Sequence, residues 1–390
     1  MSDRSRDVAK VLCVLYDDPA NGHPADYARD SIPRIQLYPD GQTMPSPSSV
    51  DFTSGELLGD RTGALGLRRF LAAYGHTLVH TSDQDGPDAG FDRELRDAEI
   101  LIIQACWPVR LHAERIANAP KLRLVITAGT GSDNIDLGAA ARSGITVAEI
   151  TYSDTVSAAE YAVLLVLSLV HNVGCALLPG ASHSMAGQAR RSYDLEGMQV
   201  GSVGAGRTGF AFLRRLRPFD VQLHYTDPRR LPLFVENELN LIWHPSVAAM
   251  ASVCDVVSIH CPLNAKTAGL FDHDMIGRMK RGAYLVNTSA AAICDPDAVA
   301  SGMQSGRLVG YATDSAYPRP GSGTPARIAG STLSAQARYA AGTREVLECW
   351  FAGAPIRTEY LVVDRGKPTV SGARSYGIAA EEKDRRVTPR

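Results

Sequence analysis

Between residues 11 and 150, short apolar runs alternate with stretches of helical spacing. VLCVLY (11–16), HTLVHT (76–81), EILIIQ (99–104), LRLVITAG (122–129) and ITVAEI (145–150) are bounded by turn residues. The runs are largely continuous, as strands buried on both faces of a parallel sheet require. GALGLRRFLAAYG (63–75) has helical spacing and a glycine stop. A Pro/Gly-rich excursion without a period separates Asp18 from Gly59. Thr155–Asn172 reads as one long helix, with Asp154 or Thr155 as N-cap and Glu160 near its first turn. A second strand-helix series starts at Met198 and runs through VQLHYTD (221–227), DVVSIHCP (255–262), GAYLVNTS (282–289) and RLVGYATD (307–314). Ser334–Phe351 predicts another long helix, and the terminal EEKDRRVTPR has the composition of a mobile tail. The repeated order predicts an α/β chain of two doubly wound Rossmann-like domains linked by the two long helices.

Composition narrows the class. A chain of 390 residues is long enough for two domains with sizeable cores, and 45% hydrophobic with 21% charged residues is ordinary for a globular enzyme. A net charge of −2 gives no electrostatic footprint for nucleic acid or an anionic membrane. The seven cysteines are scattered and lack C-x-x-C spacing, which predicts reduced thiols and no metal site. The first apolar run is too short for a signal-peptide core, and Tyr161–Val170 is too short to span a bilayer, so a cytoplasmic location is expected.

The chemistry concentrates around VGSVGAGRTG (200–209) and the HYTDPRR that follows. Gly204, Gly206 and Gly209 form G-x-G-x-x-G between a strand and the helical FAFLRRLR. The first glycine permits the tight turn, the second a close approach to pyrophosphate, and the third the packing of helix on sheet. The helix N-terminus adds free N–H groups and partial positive charge. Asp227 stands where a carboxylate accepts the adenosine ribose hydroxyls and repels a 2′-phosphate, which favours NAD over NADP. Arg229 and Arg230 oppose that preference, since neighbouring arginines accept a 2′-phosphate.

These segments, with VLCVLYDDP, YARDSIPRIQLYPDGQT, GHTLVHTSDQDGPD, KRGAYLVNT and AQARYAAGTREVLECWFAGAPIRTEYL, closely resemble bacterial NAD-dependent formate dehydrogenase, a branch of the D-specific 2-hydroxyacid dehydrogenase family. The resemblance spans residues 10–375, with shortenings around 173–192 and 319–326. It implies a catalytic domain made of residues 1–154 and 329–390, an NAD-binding domain over 155–328, and a homodimer built on the coenzyme domains. It also implies that Gly204, Ala205, Gly206, Arg207, Thr208 and Gly209 form the phosphate loop, with Asp227 on the ribose. Cys261, Pro262 and Thr288 then face the adenine and nicotinamide halves, and Asp314 hydrogen-bonds the carboxamide. Pro228 replaces a family arginine near the adenine. His260 is expected to make a structural or cofactor contact rather than to do chemistry.

The family's catalytic positions differ. Its carboxylate-clamping arginine, in N-T-A-R-G, corresponds to Ala290 in NTSAAA; its acid/base histidine, in P-H-I-S-G, corresponds to Arg327 in ARIAG, with Ala329 at the serine. The histidine's glutamine partner corresponds to Arg319 and the substrate-binding asparagine to Asp154, while Ala105, Cys106 and Thr130 replace Pro, Phe and Ile. A guanidinium does not give up its proton near neutral pH, and an ionised Asp154 repels formate. Three readings stay open: an NAD-dependent oxidoreductase acting on a small acid other than formate through Asp154, Arg319 and Arg327; a catalytically silent NAD-binding homologue; and non-redox chemistry on a bound acid. The expected partner is a small anionic substrate or ligand.

Overall fold

The computed structural model describes residues 8–14, 67–81, 90–104, 109–132, 134–173, 192–314, 328–330 and 332–369. The excursion from Asp18 to Gly59 and the polar tail lie outside the described residues. The chain divides into two compact units, Met1–Asp154 with Ser331–Arg390, and Thr155–Gly330.

In the first unit β1 (Lys10–Val14), β2 (Thr77–Thr81), β3 (Ile100–Gln104), β4 (Leu124–Ala128) and β5 (Thr146–Glu149) lie in the order β5-β4-β3-β1-β2, each pair parallel. Alternate residues of each strand enter different cores. Leu12, Leu101, Val125 and Val147 pack on one face, and Val11, Ile100, Leu124 and Ala148 on the other. This two-sided burial is why the strands read as continuous apolar runs. The helix Leu333–Ala352 covers the second face with Ala340, Val346 and Leu347. Thr332 caps its first turn by accepting the Ala335 N–H at 3.1 Å, and Gly353 ends it at φ +66°. The C-terminal segment then adds β12 (Leu361–Asp364) antiparallel to β5, and β13 (Lys367–Pro368) antiparallel to β12. That antiparallel addition is not signalled by the strand-helix alternation.

In the second unit β6 (Gln199–Val203), β7 (Gln222–Thr226), β8 (Leu241–Trp243), β9 (Val256–Ile259), β10 (Ala283–Asn287) and β11 (Leu308–Thr313) form an all-parallel sheet in the order β11-β10-β9-β6-β7-β8. The chain starts in the middle at β6, winds outward to β8, then returns beside β6 as β9. Ligands of such sheets bind at this switch point, past the carboxyl ends of the strands. Val200, Leu223, Tyr225, Val256 and Val286 pack on one face with the helix Thr155–Val170, and Val203, Val257, Ile259 and Leu285 on the other. That helix stops two residues short of the expected Asn172, which has φ +53°. Both units are thus doubly wound α/β layers, as the alternation predicted. Among the described residues no helix is long and apolar enough to cross a membrane.

Candidate functional site

Parallel pairing sets the first part of the site. Val203 at the end of β6 pairs with Ile259 at the end of β9, and the His260 N–H donates to the Val203 carbonyl at 2.8 Å. The glycine loop therefore leaves β6 directly beside His260 and Cys261. Gly204 has φ +97°, and a Cβ there would lie 3.0 Å from the His260 carbonyl carbon and oxygen. Only glycine meets both demands. A Cβ at Gly209 would lie 2.0 Å from the Gly204 carbonyl oxygen, so that glycine lets the helix Arg207–Leu216 seat against the turn. Gly206 differs, since a Cβ there meets no atom of the described residues within 4 Å. Its hydrogen faces open space among the described residues, at the N-terminus of that helix, where Gly206 as N-cap has no side chain to cap the first turn. This is the space and the donor set that a pyrophosphate needs.

Asp227, just past β7, ties this loop to its neighbour. Its Oδ2 accepts the Ala205 N–H at 2.9 Å, and its Oδ1 accepts the Arg229 N–H at 2.8 Å. Both arginines are exposed, but Arg230 forms a two-pronged ion pair with Glu236, each N–H···O contact 2.8 Å long. One of the two arginines that opposed an NAD preference is thereby engaged elsewhere.

The other strand ends line the same edge of the sheet. His260 follows β9; Ser258 Oγ and His260 Nε2 lie 2.9 Å apart, and its ring packs 4.8 Å from that of Phe212. Burial pushes the imidazole pKa down to about 3, so it is neutral near pH 7 and is no general acid there. Cys261 is half-buried and burial pushes its thiol up to about 11, which keeps it protonated. The Pro262 carbonyl accepts the Thr267 hydroxyl at 2.6 Å. Thr288 follows β10 and Asp314 follows β11, both buried. His260 Nδ1 and Thr288 Oγ1 are buried with no hydrogen-bond partner among the described residues. Orphaned polar atoms at the edge of an open glycine loop fit a polar ligand that completes them. Among the described residues no group of His, Cys, Asp or Glu could hold a metal ion.

Ala290 ends the loop after β10. Asn287 shapes that loop by donating to the Ala290 carbonyl at 3.0 Å and accepting the Ser289 N–H at 2.9 Å. Ala290 then leads into a short turn, Ala291–Ile293. Ala329 is buried in the turn Ile328–Gly330. Arg207 and Thr208 open the helix after Gly206. Arg319, Arg327, Ala105 and Cys106 lie outside the described residues.

In the first unit Asp154 closes the turn after β5. Tyr152 holds φ +68°, a conformation an aromatic residue rarely takes, and the turn is braced on both sides. Ser153 Oγ donates to the Ile150 carbonyl at 2.7 Å, and Arg338 from the long C-terminal helix donates to the Ser153 carbonyl at 2.6 Å. Thr130 Oγ1 donates to Asp154 Oδ1 at 2.8 Å. The Thr130 hydroxyl thus engages one oxygen of this carboxylate. Neither Arg338 nor the network at Glu236 was singled out in the sequence, because no local spacing announces a bond across 185 residues or a partner contributed by an adjacent helix.

The fold and this strand edge define a dinucleotide-binding dehydrogenase. Residues 163–328 match the family described as D-isomer specific 2-hydroxyacid dehydrogenase, NAD binding domain. Formate dehydrogenase of Pseudomonas sp. (strain 101) is 52% identical over 386 residues, covering 95% of both chains. Formate dehydrogenase of Neurospora crassa is 42% identical over 392 residues, covering 95% of this chain and 96% of its own. Among solved structures, a Granulicella M. formate dehydrogenase superposes with a TM-score of 0.86 at 52% identity, over 93% of this chain and all of the other (100%). The NAD-dependent formate dehydrogenase of Staphylococcus aureus, in complex with NAD, gives 0.70 at 30% identity, over 91% and 99%. The chain belongs to the formate dehydrogenase branch of the D-isomer specific 2-hydroxyacid dehydrogenase family, as an NAD-dependent oxidoreductase.

Proposed function

We propose that this oxidoreductase acts on a small acid other than formate and prefers NAD to NADP. The observation that carries the reading is Ala290. Asn287 holds the loop after β10 by its backbone, yet the side chain at 290 offers no donor. A guanidinium at this position would clamp a carboxylate with two charged hydrogen bonds, the strongest kind available in a water-poor site. Without it, formate has lost its principal anchor.

The remaining assignments follow from the resemblance. The first unit is the substrate domain, Arg319 and Arg327 supply the positive charge for a larger or more highly charged anion, and Asp154 is the acid/base. The Thr130 hydrogen bond at 2.8 Å supports that role, because it leaves Asp154 Oδ2 without a partner among the described residues. NAD, when bound, supplies the hydride acceptor; Asp154 takes the proton released from the substrate. Asp227 supports the NAD preference through charge. The active form is a homodimer, and the exposed Leu164 on the apolar helix Thr155–Val170 supports a partner on that face.

A screen of carboxylic and phosphonic acids with NAD, followed at the NADH absorbance, tests the substrate class. Turnover of an acid larger than formate, with formate inert, is the expected result. NAD binding with no acid turned over would establish instead a catalytically silent homologue. Consumption of an acid without NADH would point to non-redox chemistry.

A further inference from the structure

The turn after β7 carries a polar network that none of these assignments uses. Glu236, on the helix Leu233–Leu239, is buried. Its carboxylate accepts three hydrogen bonds: from Tyr225 Oη at 2.6 Å and Arg230 Nε at 2.8 Å on Oε1, and from Arg230 Nη2 at 2.8 Å on Oε2. The Tyr225 hydroxyl in turn accepts the Leu231 N–H at 2.8 Å. The Arg230 guanidinium lies 5.2 Å from the centre of the Trp243 ring, and Trp243 Nε1 reaches the Asp227 carbonyl at 3.5 Å. Arg230 is thus fixed by a forked ion pair on one side and an aromatic ring on the other, three residues after the ribose-binding acid.

An arginine beside that acid is the usual way such folds accept the 2′-phosphate of NADP. We propose that Glu236 is a specificity-determining residue for the cofactor: by holding both prongs of Arg230, it keeps this guanidinium from a 2′-phosphate. The inference rests on the NAD preference read from Asp227 and adds a second, independent device to it. Asp227 repels the extra phosphate directly, whereas Glu236 removes a cation that would attract it.

The chemistry suits a lock that stays closed. The Arg230 guanidinium holds the Glu236 carboxyl below its ordinary range, so the pair stays charged at neutral pH. Burial pushes the Tyr225 phenol up to about 12, so its hydroxyl remains a donor to Glu236. A planar fork matches a carboxylate at two points, which a lysine ammonium does not. Arg229 is the contrast: it too is exposed, but it has no ion pair among the described residues to keep it from a phosphate.

The test is a set of NADH fluorescence titrations with NADP(H) and NAD as competitors, which requires no substrate. Glu236→Gln keeps the side-chain volume and removes the charge that retains Arg230. Its preference for NAD over NADP should fall at least about threefold relative to the wild-type protein. Glu236→Gln combined with Arg230→Ala should restore the wild-type ratio, since the released cation is then gone. An unchanged ratio in Glu236→Gln, or a gain that persists in the double variant, overturns the proposal. If Glu236→Gln does not fold, Arg230→Lys decides, because its half-exposed side chain tolerates exchange. A weaker fork should lower the ratio, and an unaltered ratio refutes the lock. Equal affinities in the wild-type protein would instead sink the Asp227 reading, an outcome visible without any variant.

Discussion

The glycine loop allows stability and cofactor binding to be separated by single methyl groups. In Gly206→Ala the added Cβ meets no atom of the described residues within 4 Å, and the backbone at φ −70°, ψ −163° is open to alanine. The folded protein should accept it with little net change in stability, since the stiffer unfolded chain, about 0.4–1 kcal/mol, offsets the poorer N-cap. The same methyl fills the space through which a pyrophosphate approaches, so NAD affinity should drop more than about tenfold, or about 1.4 kcal/mol. Gly209→Ala should differ in stability. Its Cβ would stand 2.0 Å from the Gly204 carbonyl oxygen, so the helix or turn must move by about 1 Å before the contact reaches even 3.0 Å. Such overpacking costs about 1–3 kcal/mol, and NAD binding should fall with it because the turn itself shifts. Urea denaturation gives the stability of each variant, and isothermal titration with NAD gives the affinity. A Gly206→Ala protein that binds NAD like the wild type would refute the placement of the pyrophosphate over this glycine. A Gly209→Ala protein of unaltered stability would refute the packing argument.

Wild-type protein should bind NAD(H) at least tenfold tighter than NADP(H), about 1.4 kcal/mol, and Asp227→Ala should narrow that gap in titration calorimetry. Formate oxidation should lie at least about a thousandfold below that of a working family member, about 4 kcal/mol of lost transition-state stabilisation; robust NADH production from millimolar formate would contradict the Ala290 argument. Arg327→Ala should weaken binding of a larger acid to the NAD complex by about 1.5–3 kcal/mol, while Asp154→Asn should abolish turnover and leave that binding equal or tighter. Stability should also depend on pH through His260. Its folded-state pKa, pushed down to about 3 by burial, lies below the ordinary value of 6.5. Between these values the unfolded chain binds the extra proton, so its contribution is complete above about pH 6.5 and is lost as pH falls toward 3. Urea melts at pH 4.5 and 7 should show a smaller difference for His260→Gln than for the wild type.

Much of the architecture was readable from residue order alone. Continuous apolar runs between helical stretches are a local signature of strands buried on both faces, and G-x-G-x-x-G followed by Asp227 lies within one strand-turn-helix-strand unit. Local patterns of this kind survive in sequence because neighbours along the chain are neighbours in the fold. The short β8 was not legible, since three residues are too few to show a period. The antiparallel β12 and β13 were not legible either, because their partner β5 lies far away in the chain.

What only the tertiary structure decided concerns which polar groups are already spent. In sequence, Arg229 and Arg230 are equivalent cations beside Asp227. In space both are exposed, but only Arg230 is forked onto a buried glutamate and laid against Trp243. Likewise the sequence offered Asp154 as a helix cap or an acid/base, whereas the fold hands it the Thr130 hydroxyl and braces its turn with Arg338. Residue type determines what charge and hydrogen-bonding capacity are available. Whether that capacity remains for a ligand depends on distances of about 3 Å between groups remote in sequence, and those distances exist only once the sheets and helices have packed.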